Sequence, residues 1–324
     1  MILITGGAGF LGCHLARALA QTNRADLAVC DPALDQRPGI LDGCPIRENV
    51  STEELGEFIQ DNKKSLEAVF HLGAISSTIE QDLRLLVDSN IRLTGELFDL
   101  CGRGGIPFYY ASSAAVYGDG SQGFVDDDAL ASLAGLKPLN PYGWSKAMAD
   151  LLVATQAAAG NPAPPSWAGL RFFNAYGPGE EHKGEMRSPV AKFHEQILET
   201  GRARLFRSSN PDIKDGEQAR DFVWVGDCIK VMVWLLDAGP RSGVFNVGTG
   251  QARTFSELAN AVFSAMEIEP DIEWIPTPKN LEGQYQFHTR AEMGKLRKAG
   301  YSGEVTALEK GVGLYVAALE AASA

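Results

Sequence analysis

The feature that most constrains this chain is a glycine-rich turn close to its N-terminus. A short apolar run, Met1–Thr5, predicts a strand, and the amphipathic segment Cys13–Ala20 predicts a helix. Between them three glycines, Gly6, Gly9 and Gly12, recur at every third position. A strand, a glycine turn and a helix in this order form a phosphate cradle, because the backbone can approach a ligand closely and the helix N-terminus offers free N–H groups. We therefore expect a dinucleotide-binding fold.

Strand-like and helix-like segments alternate through the first half of the chain. This alternation predicts an α/β fold with a Rossmann-type, doubly wound parallel sheet. The expected strands cover Asp26–Asp31, Ala68–Leu72, Pro107–Ser113, Ala168–Asn174, Asp221–Val225 and Val244–Val247, and the expected helices cover Asn90–Cys101 and Tyr142–Ala159. Segments without clear periodicity, at Tyr176–Ser188, Ser208–Arg220 and Ile275–His288, predict a binding lobe. We expect a dinucleotide-binding domain at residues 1–170, to which elements around 220–270 return, and a smaller, mainly substrate-binding lobe at 171–324.

An acidic residue ends the second expected strand. Asp31 lies about 20 residues after the glycine turn, where a carboxylate accepts hydrogen bonds from the adenosine ribose. Such an acid favours NAD, because it repels the 2′-phosphate of NADP. Arg37 follows a few residues later and can offset that repulsion. The residues therefore leave NAD and NADP as alternatives.

A tyrosine and a lysine lie four residues apart at the start of an expected helix, at Tyr142 and Lys146 after Asn140-Pro141. On a helix they share one face. A free phenol, with a pKa near ~10, is protonated at neutral pH, and a nearby ammonium favours the phenolate. The pair can thus serve in proton transfer. The alternative is an exposed pair on a solvated helix.

Composition excludes several other classes of function. A net charge of −12 over 324 residues argues against nucleic-acid binding, and any anionic ligand would need a local cluster of cations. The five scattered cysteines include no CxxC pair, and the five histidines lack ligand spacing, so we expect reduced thiols and no metal site. Apolar runs stay far below the ~18 residues of a membrane helix. With no recognisable secretory signal, a cytoplasmic location is expected.

Three motifs occur in a characteristic order: TGGAGFLG at Thr5–Gly12, SSAAVYG at Ser112–Gly118, and the tyrosine and lysine just described. With them the chain resembles, over essentially its whole length, the extended short-chain dehydrogenase/reductase superfamily and its nucleotide-sugar epimerase and dehydratase branch. The resemblance implies that Tyr142 is the acid/base, that Lys146 orients the nicotinamide ribose and lowers the tyrosine pKa, and that Ser113 completes a triad. It also implies one tightly bound NADP or NAD per subunit and a homo-oligomer. Dehydratases of this branch carry Thr-Asp-Glu at the positions where this chain has Ser113-Ala114-Ala115. The resemblance therefore implies epimerisation rather than water elimination.

A later motif, EHKGEM at Glu181–Met186, resembles a subgroup of these epimerases that inverts the exocyclic carbon C6″ of an ADP-linked heptose for lipopolysaccharide. The resemblance implies that Lys183 is a second acid/base, on the opposite face of the sugar from Tyr142. The alternative for Lys183 is a surface lysine in an acidic loop. Two rival functions are a UDP-hexose 4-epimerase, which needs Tyr142 alone, and a cofactor-binding regulator without turnover.

The same resemblance implies the remaining site residues. Cofactor contacts are expected from Gly6, Gly9, Phe10, Leu11, Gly12, Asp31, Pro32, Arg37, Leu72, Gly73, Ala74, Ile75, Ser76, Asn90, Lys146, Ala175 and Lys183. Substrate contacts are expected from Ser113, Asn174, Glu185, Lys192, Phe206, Arg207, Ser208, Ser209, Arg220 and Tyr285. Arg220 is the best candidate for the substrate diphosphate, because a guanidinium binds phosphate oxygens bidentately. Glu185 replaces the usual serine of the family, and Asp212–Ala219 is expected to be an inserted solvent loop.

Overall fold

The computed structural model describes residues 1–22, 24, 26–278 and 286–323. Its strands are β1 (Ile2–Thr5), β2 (Leu27–Cys30), β3 (Ile46–Asn49), β4 (Ala68–His71), β5 (Phe108–Ser113), β6 (Trp167–Phe172), β7 (Asn174–Tyr176), β8 (Ala203–Phe206), β9 (Ala219–Arg220), β10 (Phe222–Trp224), β11 (Ser242–Val247), β12 (Arg253–Thr254) and β13 (Ile272–Ile275). Its α-helices are α1 (Phe10–Ala20), α2 (Leu55–Asp61), α3 (Leu83–Leu86), α4 (Leu93–Gly104), α5 (Leu130–Ala134), α6 (Pro141–Ala158), α7 (Pro189–Thr200), α8 (Val225–Asp237), α9 (Phe255–Ala265), α10 (Gly294–Lys298) and α11 (Leu308–Ser323). No helix in this described part of the chain combines the length and the apolar character needed to cross a membrane.

A seven-stranded parallel sheet forms the centre of the molecule, in the order β11-β6-β5-β4-β1-β2-β3. The chain leaves β1 towards β2 and β3 and then crosses back to β4 on the other side of β1. In such sheets, ligands bind outside the carboxyl ends of the strands where the strand order changes direction. The predicted doubly wound α/β fold is confirmed, and its topology places a crevice at the ends of β1 and β4.

Helices cover both faces of this sheet, which explains why its strands are apolar without alternation. On one face, Ile2 and Ile4 of β1 belong to the core formed with α1 and α8. On the other face, Leu3 belongs to the core formed with α2, α4 and α6. Successive side chains of a strand point to opposite faces, so one short run serves two cores.

A third hydrophobic core is built from later parts of the chain. Helices α7, α9 and α11 pack around β8, with Leu205, Phe263 and Tyr315 fully or almost fully buried. Strands β8 and β13 pair in parallel apart from the central sheet. This core is therefore built mainly on helices, and the division into a dinucleotide-binding domain at residues 1–170 and a substrate-binding lobe at 171–324 stays a prediction.

The expected strand Ala168–Asn174 is wrong in its last residues. The strand β6 ends at Phe172, and the Phe173 N–H donates to the carbonyl of Val247. The Asn174 N–H then donates to the carbonyl of Asp221, so the chain changes partner and continues as β7 beside β10. This switch carries the backbone out of the sheet and into the lobe.

Two further expectations differ from the structure. The helix expected from Asn90 is preceded by a π-helical turn, Val87–Arg92, which places Asn90 inside the turn rather than at a helix start. The expected solvent loop Asp212–Ala219 ends in buried structure, because Gln218 is 2% exposed and Ala219 pairs with Thr254 between β9 and β12.

Candidate active site

A cavity of about 620 Å³ opens at the carboxyl ends of β1, β2, β4, β5 and β6. Residues that the sequence assigned to cofactor, substrate and catalysis share its lining. The predicted members of the lining are Gly6, Gly9, Phe10, Leu11, Gly12, Asp31, Pro32, Arg37, Leu72, Gly73, Ala74, Ile75, Ser76, Ser113, Tyr142, Lys146, Asn174, Ala175 and Lys183. The cavity thus brings together two groups of residues that lie far apart in sequence.

The glycine turn forms the floor of one end of this cavity. Gly6 has a φ of +71°, and a Cβ there would collide with the backbone of Gly73. A Cβ at Gly12 would collide with the Gly6 carbonyl oxygen. Gly9 differs, because it begins α1 with an ordinary φ of −73°, and a Cβ there would meet the Gly6 oxygen at 3.0 Å. The first and third glycines are therefore required by the fold, whereas Gly9 keeps the cavity side of the turn open.

Asp31 and Arg37 stand on either side of the same turn. The Asp31 carboxylate accepts from the backbone N–H of Ala8 at 2.9 Å and of Ala33 at 2.8 Å. The Arg37 guanidinium donates to the carbonyl of Ala8 and, at 3.4 Å, to that of Gly179. An acid and a cation therefore both contact the backbone of Ala8 in the turn, and their role at the adenosine stays a prediction.

Asn90 lies behind the cavity wall rather than in its lining. Its side chain is fully buried, accepts from the N–H of Ile75 at 2.9 Å and donates to the carbonyl of Ile75 at 2.9 Å. It also donates to the Ser145 hydroxyl at 2.9 Å. Asn90 thus fixes the loop after β4, and its expected role as a cofactor contact stays a prediction.

Tyr142 and Lys146 occupy the first turns of α6. Asn140 caps this helix by accepting from the N–H of Gly143 at 2.8 Å, and Pro141 fits the first helical position. The Lys146 ammonium donates to the carbonyl of Ala111 at 2.8 Å. Burial lowers the pKa of Lys146 to about 8, against the opposing charge of Asp150. The helix therefore presents both side chains to the cavity, as their spacing predicts.

The expected lowering of the tyrosine pKa is wrong for this structure. Burial raises the pKa of the Tyr142 phenol above its ordinary value, and the interaction with Ser113 opposes this in part. Lys146 instead directs its ammonium to a backbone carbonyl. The phenol is therefore protonated at neutral pH and is set up as a proton donor.

Lys183 reaches the cavity from a short 3₁₀ turn, Glu181–Met186, in which Gly184 takes a φ of +52°. Its ammonium lies 3.8 Å from the centre of the Phe10 ring and 3.4 Å from a carboxylate oxygen of Glu180. Burial lowers the pKa of Lys183, and Glu180 opposes that shift. The side chain is 21% exposed, so the alternative of a surface lysine in a solvated loop is not what the structure shows.

The other predicted substrate contacts lie outside this lining. They are Glu185, Lys192, Phe206, Arg207, Ser208, Ser209 and Arg220, while Tyr285 falls outside the described residues. Lys192 pairs with Glu185 at 3.2 Å and Arg207 pairs with Asp215 at 2.8 Å. In an acidic protein, carboxylates of the chain itself take up these cations. The roles of all these residues in substrate binding stay predictions.

Arg220 is almost completely buried, at 7% exposure. Its guanidinium donates to the carbonyl of Ala219 at 3.0 Å and lies 5.7 Å from the centre of the Phe255 ring. The next residue, Asp221, accepts hydrogen bonds from the backbone of Thr249, Gly250 and Ala291. The segment that carries Arg220 is therefore fixed to two neighbouring loops.

Several cavity residues were not singled out from sequence, among them Cys30, Thr52, Thr78, Ser89, Phe172 and His182. Glu180, next to the cavity, was also missed. Its position in an acidic run gave no sign that its side chain is 1% exposed. His71 was expected to be a packed strand residue, and its ring contacts the hydroxyls of Thr5 at 2.7 Å and Thr94 at 3.2 Å.

Comparison with known proteins identifies the class that this fold and cavity define. Residues 2–248 match the NAD dependent epimerase/dehydratase family, and the chain belongs to that family. The chain is 44% identical, over 98% of its length and 97% of the relative's, to ADP-L-glycero-D-manno-heptose-6-epimerase of Nitratidesulfovibrio vulgaris. Among solved structures it resembles the ADP-L-glycero-D-manno-heptose-6-epimerase of Helicobacter pylori at 27% identity, with a TM-score of 0.79, covering 99% of this chain and 96% of that one. It also resembles MoeE5 in complex with UDP-glucuronic acid and NAD, at 25% identity and a TM-score of 0.76, over 99% of both chains. The family predicted from the motifs is confirmed.

The glycine turn fits the nicotinamide dinucleotide of this family, and Gly9 offers the clean test. We expect Gly9→Val to fold, because the φ of Gly9 suits any residue and a Cβ there meets one neighbouring oxygen, that of Gly6 at 3.0 Å, but to fill the space in front of the turn. The valine side chain would keep the pyrophosphate away from the backbone of the turn, so dinucleotide binding should weaken by about tenfold or more, or ~1.4 kcal/mol or more of binding free energy. Titration with NAD and NADP measures the loss. The matched control is Gly294→Val, where a Cβ has open space and which lies away from the cavity lining. Equal affinity of the Gly9→Val and Gly294→Val proteins would show that the turn is not the cradle.

Proposed function

We propose that this protein is an epimerase that converts ADP-D-glycero-D-manno-heptose into ADP-L-glycero-D-manno-heptose. The observation that carries the proposal is the shared cavity, which holds the glycine cradle, Ser113, Tyr142 and Lys183 together. The curated relative at 44% identity has this activity in its name. A UDP-hexose 4-epimerase of the one-base kind would leave Lys183 in the cavity without a role.

The bound nicotinamide dinucleotide supplies reversible hydride acceptance in this scheme. Cofactor contacts would come from the glycine turn, from Asp31 and Arg37 at the adenosine end, and from Lys146 near the nicotinamide ribose. Because Asp31 and Arg37 both line the cavity, we propose NAD or NADP as the resident cofactor, tightly held. The predicted cytoplasmic location and homo-oligomeric assembly stay predictions.

Inversion at C6″ requires the hydroxyl proton to be removed and later returned as hydride moves away and back. Two proton-transferring side chains meet this requirement if each lies on one face of the sugar and exchanges a proton from that side. Burial raises the pKa of the Tyr142 phenol, so it is held in its donor form, whereas burial lowers the pKa of the Lys183 ammonium and makes its proton easier to release. The Ser113 hydroxyl would donate to the carbonyl oxygen formed on oxidation.

The function is tested by incubating the purified protein separately with ADP-D-glycero-D-manno-heptose and with UDP-glucose, and by following the epimers by NMR. We expect the heptose to approach an epimer equilibrium while UDP-glucose stays unchanged. Formation of UDP-galactose without heptose turnover would establish the 4-epimerase instead. Turnover of neither substrate by protein that binds the dinucleotide would point to the non-catalytic regulator.

A further inference from the structure

Next to the cavity, a buried carboxylate links Lys183 to the C-terminal helix. Glu180 is 1% exposed, and one of its oxygens lies 3.4 Å from the Lys183 ammonium. Its other oxygen accepts a hydrogen bond from the hydroxyl of Tyr315 at 3.0 Å. Tyr315 is fully buried in α11, and 135 residues separate it from Glu180.

We propose that Glu180, held by Tyr315, is the positioning residue that fixes the place and the charge of Lys183. The backbone supports this arrangement, because the Lys183 N–H donates to the Glu180 carbonyl at 3.0 Å. A buried carboxylate with two directional partners cannot turn freely, so it holds the ammonium against the Phe10 ring. The catalytic meaning of this inference rests on the proposed function.

Among the described residues, the other titratable groups facing Lys183 leave Glu180 as its anion. Cys13 of α1 and Cys228 of α8 approach from the neighbouring helices, and burial raises the pKa of both thiols, which therefore stay neutral. His182 lies in the same turn. Burial is the main cause that lowers its pKa, and the cations Arg37 and Lys183 lower it further. A neutral imidazole and two neutral thiols cannot compensate the lysine charge.

Tyr315 is suited to hold this carboxylate. Burial raises the pKa of its phenol well above the ordinary value, with a further contribution from Glu180. Glu181 acts in the same direction and Arg187 opposes it. The phenol is consequently a permanent hydrogen-bond donor, and its contact with Glu180 does not switch within the working pH range.

The test compares Glu180→Gln with the wild type by competitive acetylation of lysines at a series of pH values, with mass spectrometry of the Lys183 peptide. Lys64, which is exposed, serves as the internal reference. Loss of an opposite charge at this distance should lower the apparent pKa of Lys183 by about one pH unit or more, because burial then acts unopposed. The Lys183-dependent limb of the pH–rate profile should move in the same direction.

The matched control is Glu181→Gln, the neighbouring glutamate, which is exposed and bonds to the N–H of Gly179 at 3.1 Å. We expect this variant to keep the wild-type pKa of Lys183. An unchanged Lys183 pKa in Glu180→Gln would overturn the inference. If Glu180→Gln does not fold, Glu180→Asp replaces it. Glu180→Asp should lower the pKa of Lys183 by less than Glu180→Gln does, because the shorter side chain keeps the negative charge but moves it away from the ammonium. An unchanged Lys183 pKa in this variant would also refute the proposal.

Failure of this inference and failure of the proposed function are distinguishable. Acetylation reports the state of Lys183 whether or not the sugar is turned over. If the wild-type protein has no heptose epimerase activity, the proposed function is rejected. The Lys183 pKa in Glu180→Gln still decides the role of Glu180 in that case. If the wild type is active but Glu180→Gln leaves the Lys183 pKa unchanged, only this inference is rejected.

Discussion

Tyr142→Phe should bind the dinucleotide normally and epimerise about 10²- to 10⁴-fold more slowly than the wild type. General acid–base catalysis typically contributes a factor of this size. The phenol lines the cavity, and burial raises its pKa, so at neutral pH the wild-type residue carries a proton that phenylalanine cannot supply. The ring itself remains, which preserves the packing of the first turn of α6. The rate constant for epimerisation at saturating substrate is the measurement.

The matched control for this prediction is Tyr301→Phe. Tyr301 is also buried, packs against Trp234 with ring centres 5.4 Å apart, and does not line the cavity. Removal of its hydroxyl should leave the rate close to that of the wild type. Comparable rates for the Tyr142→Phe protein and the wild type would eliminate the phenol as a proton carrier.

Local sequence patterns predict the part of the site that the Rossmann-type sheet provides. The turn at Gly6–Gly12 and the pair Tyr142 and Lys146 are each encoded within a few residues, so spacing alone places them. The carboxyl ends of parallel strands share one edge, and this rule brings the two motifs to one cavity. The sheet and its crevice were therefore predictable before any coordinates.

The lobe was less predictable, because its contacts join segments far apart in sequence. Glu180 acquires its role from Tyr315, and nothing near Glu180 in the sequence indicates a buried partner. Likewise β6 ends at Phe172 because the next residues find partners in Asp221 and Val247. A continuous apolar run contains no signal for such a change of partner.

The direction of the Tyr142 pKa shift shows a different limit of sequence reasoning. Spacing predicts that Lys146 shares a helix face with Tyr142, and the structure agrees. Spacing does not show that the ammonium donates to the Ala111 carbonyl, or how deeply the phenol is buried. Burial and the final hydrogen-bond partner decide the sign of the shift, and both are properties of the assembled fold.

Lys183→Met should reduce epimerisation by about the same factor, ~10²–10⁴, if two proton carriers are needed. In the two-carrier scheme, Tyr142 can still exchange a proton at one face of the sugar. Hydride transfer at the other face has no side chain left to exchange the accompanying proton. A mechanism that uses Tyr142 alone predicts almost no change. Epimerisation rate and dinucleotide binding are measured together, with Lys214→Met as a control, because Lys214 is exposed and lies outside the cavity lining.

The substitution also breaks an ion pair, which must be separated from its effect on catalysis. Removing one partner of a buried pair typically costs ~3–5 kcal/mol, and the cost should be smaller here because Lys183 is 21% exposed. The double variant Lys183→Met with Glu180→Gln removes both charges and should recover most of the lost stability in a thermal denaturation experiment. It should not recover activity, because no proton carrier has been restored. If activity returned together with stability, the loss in Lys183→Met would be a folding effect, and the second proton carrier would have to be abandoned.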